Sequence, residues 1–138
     1  MALASGKSTF DFKAAAAVTA RQALKLTESG SSVLVTPCTA DTDFCIGWAL
    51  GDAAIGEDVV VYHPGIVEFI AGEALDASSD AGKRLILGLA GRMYKAAGAS
   101  DKVTYLRWVP QNPSMVSSNG DVAAGGRAFG VFSPSVDV

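Results

Sequence analysis

The sequence predicts an all-β fold, a small single-domain β-barrel or sandwich with little helix. Three observations lead there. The larger apolar residues fall in short runs rich in Val, Ile, Leu and aromatics. Gly, Pro and Asp clusters separate those runs. No strand–helix–strand alternation of the kind that builds a parallel sheet is visible. A chain of 138 residues suits one compact domain.

Residues 1–13 are small and polar and read as a flexible N-terminal arm ahead of one β-rich domain at 14–138. Residues 14–26 are ambiguous. Their alanines favour helix, while Ala23-Leu24-Lys25-Leu26 suits a strand stopping at Glu28-Ser29-Gly30. Residues 31–36 (SSVLVT) are β-branched and end at Pro37. Residues 44–50 (FCIGWAL) read as a strand interrupted by Gly47, and 57–62 (EDVVVY) as the clearest strand of all. His63-Pro64-Gly65 is a turn, because proline fixes φ and glycine accepts positive φ. Residues 66–71 (IVEFIA) would then close a hairpin on 57–62.

Residues 72–82 form a loop with room for one helical turn. Residues 83–89 and 92–96 flank Ala90-Gly91 as a second hairpin, and 103–109 (VTYLRWV) alternates until Pro110. The segment 110–126 is rich in Asn, Pro, Ser and Gly and reads as a long loop before a last strand at 127–132. Val59, Val61, Ile66, Phe69, Leu85, Leu87 and Leu106 are the expected core.

Net charge is −3, and Lys and Arg are scattered without a basic block, so nucleic-acid binding is not expected. No apolar run reaches the ~18 residues of a membrane span, and residues 1–12 lack the apolar centre of a secretory signal. Synthesis and folding in a cytoplasm are expected. Charged residues make up 18% of the chain, below the roughly 25% of ordinary domains, which points to surface covered by a partner.

Catalytic constellations are weak. Gly6-Lys7-Ser8-Thr9 matches the end of a phosphate-binding loop, but the first glycine of that motif would fall at Met1, so nucleotide binding is not expected. His63 is the sole histidine, and it lies in the turn with no G-x-S-x-G elbow anywhere, which favours a turn residue over a triad member. Asp41 and Asp43 form a D-x-D that reads as turn chemistry, since calcium or magnesium needs more oxygen ligands. Cys38 and Cys45 are close enough in sequence to pair, but a cytosol-made protein is expected to keep them reduced and half-buried. Two cysteines with one distant histidine do not make a zinc site. The aromatic set Trp48, Tyr62, Phe69, Tyr94, Tyr105 and Trp108 reads as core and sheet face, because a base-stacking platform comes with a basic groove. The expectation is a non-enzyme with no cofactor and no metal.

Five segments in order carry a resemblance: residues 22–30 (QALKLTESG), 46–61 (IGWALGDAAIGEDVVV), 64–67 (PGIV), 70–75 (IAGEAL) and 89–97 (LAGRMYKAA). Together they resemble the capsid decoration, or cement, proteins of tailed bacteriophages. The match covers a little over half the chain and fades after Trp108. It implies a β-tulip-like barrel, a virion location on the outer surface of the head, a homotrimer, and the major capsid protein as partner. It also implies that the arm orders on the capsid lattice, with Lys7, Phe10, Phe12 and Lys13 as expected contact residues and the phenylalanines as anchors. A head-fibre base, another minor virion protein, or a ligand-binding β module outside any virus are the alternatives.

Overall fold

The computed structural model describes residues 9–63, 66–96, 103–110 and 120–132. Ten strands account for most of them: β1 (Thr9–Ala14), β2 (Ala23–Ser29), β3 (Ser32–Pro37), β4 (Cys45–Ala49), β5 (Asp58–Tyr62), β6 (Ile66–Ile70), β7 (Arg84–Leu87), β8 (Met93–Lys95), β9 (Val103–Val109) and β10 (Arg127–Phe132). One four-residue helix, α1 (Ala77–Asp80), and a 3-10 turn at Leu89–Gly91 complete the list among the described residues. The fold is nearly all-β, as the short apolar runs and turn clusters predict.

The first five strands close into a barrel in the order β1-β3-β2-β4-β5, with β5 returning to β1. Only the β1–β3 contact is parallel. The last five form a second sheet in the order β6-β10-β9-β7-β8, antiparallel throughout. A parallel bridge between Ala71 and Met93 brings the two outer strands of that sheet toward each other.

Two apolar clusters follow from this layout. Ala14, Val18, Leu24, Val35, Ala49, Ala53, Val59 and Val61 fill the barrel. Val67, Phe69, Leu85, Leu87, Met93, Leu106, Trp108 and Ala128 line the inner face of the second sheet, and Ala23, Cys38 and Trp48 reach into the same cluster from the barrel. Period-2 alternation sends Ala23 and Leu24, or Trp48 and Ala49, to opposite clusters. One barrel wall is thus shared by both cores. Polar contacts cross the seam: Gln22 Nε2 donates to the Ala90 carbonyl (2.8 Å), and the Gly91 N–H donates to the Cys38 carbonyl (2.7 Å).

Three sequence expectations need correction. Residues 9–13 are not a flexible arm; they are β1, bonded to β5 along its length and to β3 at Lys13 and Ala14. T-F-D-F-K has the alternation of a strand, and Phe12 packs against the barrel core. Residues 1–8, including Lys7, lie outside the described residues. Secondly, β5 and β6 do not form a hairpin. Both edges of β5 are occupied, by β1 and β4, and β6 pairs with β10 in the second sheet instead; Pro64 and Gly65 of the expected turn lie outside the described residues. Thirdly, Ile66 is 66% exposed. Val67 and Phe69 take the inner face of β6, and Ile66, one residue out of phase, must face outward. The other six expected core residues, Val59, Val61, Phe69, Leu85, Leu87 and Leu106, are buried.

The expected hairpin across Ala90-Gly91 is present as β7–β8, with Leu85 opposite Lys95 and Leu87 opposite Met93. The single helical turn falls inside the 72–82 loop. Of the expected long loop at 110–126, residue 110 and residues 120–126 lie within the description, and the latter are anchored: Val122 bridges Leu75. Gly47, with φ 152°, stands beside a bulge in β4, where Leu24 pairs with Gly47 and Lys25 with Cys45 so that Ile46 is left over, and a Cβ on Gly47 would strike the Tyr62 carbonyl and Val61. Only glycine lets β4 lie this close to β5.

Candidate functional surface

The pairing directions define a rim. Strands β1, β3 and β4 begin at one end of the barrel, and β2 and β5 finish there. Phe10 and Val33 belong to that end, Phe44 immediately precedes β4 there, and Leu26 stands at the middle of β2; all four are exposed. Phe10 alternates in phase with Phe12 and Ala14, and Ala14 is buried in the barrel core. Phe12 packs against that core, and the rings of Phe10 and Phe12 stand 6.5 Å apart, tilted by 52°. The pair therefore leads from the barrel interior to solvent at 62% exposed Phe10.

Of the four residues expected to contact a partner, the structure thus places three on one strand. Lys13, at the far end of β1, pairs with Asp58 across the β1–β5 ladder (2.7 Å), with both side chains well exposed. It does not join the rim. Leu26, Val33 and Phe44 were not singled out from the sequence.

The other sequence candidates have structural roles. Asp43 folds the loop after β3 onto itself: its carboxylate accepts from the backbone N–H of Thr39 (2.7 Å) and Ala40 (3.1 Å) and from Lys25 Nζ (3.2 Å). The Thr39 N–H foremost, with Ala40 and Lys25 behind it, holds this carboxyl below the ordinary aspartate range. The exposed His63 ring lies 5.8 Å from Trp48 at 51°, beside the crossing to the second sheet. Thr9 opens a strand, so Gly6-Lys7-Ser8-Thr9 does not lead into a helix N-terminus as a phosphate loop does. Cys38 is fully buried rather than half-buried, and Cys45 is partly exposed. Among the described residues, no three His, Cys, Asp or Glu side chains gather into a metal-binding group, and no helix is long and apolar enough to cross a membrane.

An open pocket of about 380 Å³ lies between the second sheet and the 120–126 segment, lined in part by Glu68, Trp108, Asp121, Arg127 and Phe129. Its carboxylates have structural duties: Glu68 holds Arg21 (2.6 Å), and Asp121 accepts from the Ala77 N–H (2.8 Å).

No known protein family matches the sequence, and no curated protein does. The fold does have a counterpart. The head fiber gp8.5 N base of bacteriophage phi29 superimposes with a TM-score of 0.69 at 19% identity, covering 92% of this chain and 94% of that one. The likeness is one of fold. It extends over both the barrel and the second sheet, and so past Trp108, where the sequence resemblance fades.

Proposed function

We propose that this chain is a non-enzymatic virion protein that seats on the outer surface of a phage head and cements neighbouring subunits of the major capsid protein, acting as a homotrimer. The observation that carries this reading is the fold held in common with a phage head-fibre base across nearly the whole length of both chains. The exposed Phe10, Leu26, Val33 and Phe44 support it, because large apolar side chains left in solvent on a folded domain are candidates for a docking surface. A trimer would present three such rims at once. Each contact could be modest, since attachment of the first raises the effective concentration of the others.

The decisive experiment adds purified protein to heads that lack it. Cementing predicts saturable binding, density on the outer surface, and heads that rupture at a higher temperature once decorated. No binding would sink the reading.

The fold match itself favours a second reading, in which the domain is the base of a fibre rather than a clamp. A fibre base would bind heads yet leave their rupture temperature unchanged, so the same experiment separates the two.

A further inference from the structure

The outer face of the second sheet keeps apolar side chains in solvent. Val67, Phe69, Trp108 and Ala128 turn into the core, so period-2 alternation sends Ile66, Val109, Phe129 and Val131 outward. The ladder makes these four neighbours: Ile66 stands opposite Val131, and Phe129 stands opposite Val109 on one side and Glu68 on the other. Ile66, Val109 and Val131 are exposed and Phe129 is half-buried. The open pocket of about 380 Å³ makes this face concave, with Glu68, Val109, Arg127 and Phe129 in its wall. Its carboxylates, Glu68 and Asp121, are held by Arg21 and the Ala77 N–H. Arg127, in phase with Phe129, and Arg107, opposite Val131, place cations around the apolar centre.

The barrel carries a surface of the opposite character. The turn between β4 and β5 holds Ile55 at its tip, 71% exposed, with Asp52, Glu57 and Asp58 exposed around it. The tip is braced from within. The Ala54 N–H donates to Glu57 Oε1 (2.8 Å), the Glu57 N–H to the Ala54 carbonyl (3.0 Å), and the Gly56 N–H to the Ala14 carbonyl (2.8 Å). Asp58 pairs with Lys13, and the turn as a whole stays acidic. We propose that the Ile55 turn of one copy docks on the arginine-flanked outer sheet face of the next, and that this contact, repeated head to tail, builds the homotrimer. The count of three rests on the function proposed above; the pairing of the two surfaces rests on their own complementarity.

Charge selects this occupant. A two-fold contact of sheet face on sheet face would set the arginines of one copy against those of the other, and a contact of turn on turn would do the same with carboxylates. Turn on sheet face joins unlike charges. It places Ile55 against Phe129 and Val109 as an apolar centre, with Asp52, Glu57 and Asp58 meeting Arg107 and Arg127 as a polar rim. A turn already fixed by its own hydrogen bonds loses little conformational freedom on docking. Because the two surfaces are different patches of one chain, the contact is heterologous and repeats around an axis until the ring closes. The turn enters β5 at the end of the barrel opposite Phe10, which pairs with Val61 near the finish of that strand, so Phe10 stays available to another partner.

The test measures the oligomeric state of the full chain, by sedimentation in solution and by chemical cross-linking on heads. Wild type stands beside Ile55→Asp, Ile66→Asp, Arg127→Glu and, as a control away from both surfaces, Phe44→Asp. The expected result is a trimer for wild type and Phe44→Asp, and monomers with unchanged circular dichroism for Ile55→Asp and Ile66→Asp. Arg127→Glu should weaken association by at least about tenfold. Mixing Ile55→Asp with Ile66→Asp should recover pairs, because each lends the surface that the other has lost. The two variants lie on different sheets, so misfolding of one leaves the other to decide. Trimers that persist in both Ile55→Asp and Ile66→Asp would overturn this contact and leave the homotrimer standing. Wild type that is monomeric in solution and on heads would overturn both. A monomeric wild type that loses head binding with Ile66→Asp would give the face to the capsid subunit instead, and the proposal would fall.

Discussion

Arg21 and Glu68 meet across the seam between the two sheets, Nε to Oε1 at 2.6 Å, with about a fifth of each side chain exposed. Arg21 precedes β2 on the barrel side, and Glu68 is the middle residue of β6. The same guanidinium donates from Nη1 to the Leu50 carbonyl (2.8 Å) and lies 5.7 Å from the centre of the Tyr62 ring. Arg21 holds φ 75°, a conformation unusual for a residue with a Cβ, and the interactions of its side chain accompany that strain.

Replacing Arg21 by Met keeps the stem and removes three polar interactions. It should destabilise the fold by about 1–3 kcal/mol, because Glu68 is left half-buried without its cation. Arg21→Lys should recover only part, since an ammonium cannot serve Glu68 and Leu50 with a planar fork. Urea unfolding of the two variants beside wild type checks both; equal stability of all three would show the contact to be energetically idle.

Asp80 provides the clearest acid dependence. Its side chain is 5% exposed, and the carboxylate accepts from the Asp76 N–H (2.9 Å), Lys95 Nζ (3.1 Å) and Lys83 Nζ (3.3 Å). The backbone N–H of Asp76, foremost among these, draws its pKa from 3.8 down to about 2. A carboxyl depressed by folding contributes stability that is fully present above its unfolded pKa and disappears as pH falls toward the folded one. Stability should therefore decline between about pH 5 and pH 2. Asp80→Asn should be less stable at neutral pH and show a flatter acid limb, read from melting points across that range. An acid limb as steep as wild type would place the dependence elsewhere, with Asp43 and Asp76, whose carboxyls are also lowered, as the first suspects.

Tyr94 lies against the backbone of Gly72 and Gly88 so closely that a Cβ on either glycine would collide with its ring. Gly88 has extended backbone, so sterics alone set the cost. Gly88→Ala should destabilise by about 1–3 kcal/mol, and much of that loss should vanish in the background of Tyr94→Ala. A double-mutant cycle by chemical denaturation measures the coupling; additive effects would contradict the contact.

Phe10 and Phe12 should separate binding from folding. Phe10→Ala removes an exposed ring and should change stability by only about 0.5 kcal/mol, yet weaken head binding if the rim is the docking surface. Phe12→Ala should lower stability instead, because that ring packs on the barrel core. Deleting residues 1–8 leaves the described barrel intact, whereas deletion through Lys13 strips β1 and leaves β3 and β5 unjoined. Circular dichroism and co-pelleting with heads distinguish these cases; a well-folded protein lacking residues 1–13 would contradict the barrel closure.

Local pattern revealed the strands far better than their partners. β9 and β10 follow from alternation and from Pro110 and the glycines that bound them. Which strand lies beside which depends on contacts across tens of residues. A strand as apolar as β5 looks ready for the next run in sequence even though β1 and β4 occupy both its edges. The polar composition of residues 1–13 masked an alternating strand because half of a barrel strand faces water. Ile66 misled for a related reason, since hydrophobicity alone does not say which phase of β6 faces in. Arg21 gave no signal, because neither its positive φ nor its distant carboxylate leaves a mark on neighbouring residues. Phe10 and Phe12 were legible as an aromatic pair, though as anchors on a tail rather than as one wall of a barrel mouth.

The place of β10 has a consequence for how the chain is made. It is the last strand described, and it sits between β6 and β9, bonded to both. During translation β6 is finished long before its neighbour exists, and it waits with apolar residues on its inner face and an unsatisfied backbone edge. The antiparallel pairing of Phe69 with Ala128 spans 59 positions, so nothing local can rehearse it. A ribosome that stalls short of residue 127 therefore presents the cell with two sticky edges and a sheet lacking the strand that joins β6 to β9, a species prone to aggregate or be degraded. Synthesis of β10 therefore acts as a natural proofreading step, because only chains that carry it can conceal those edges.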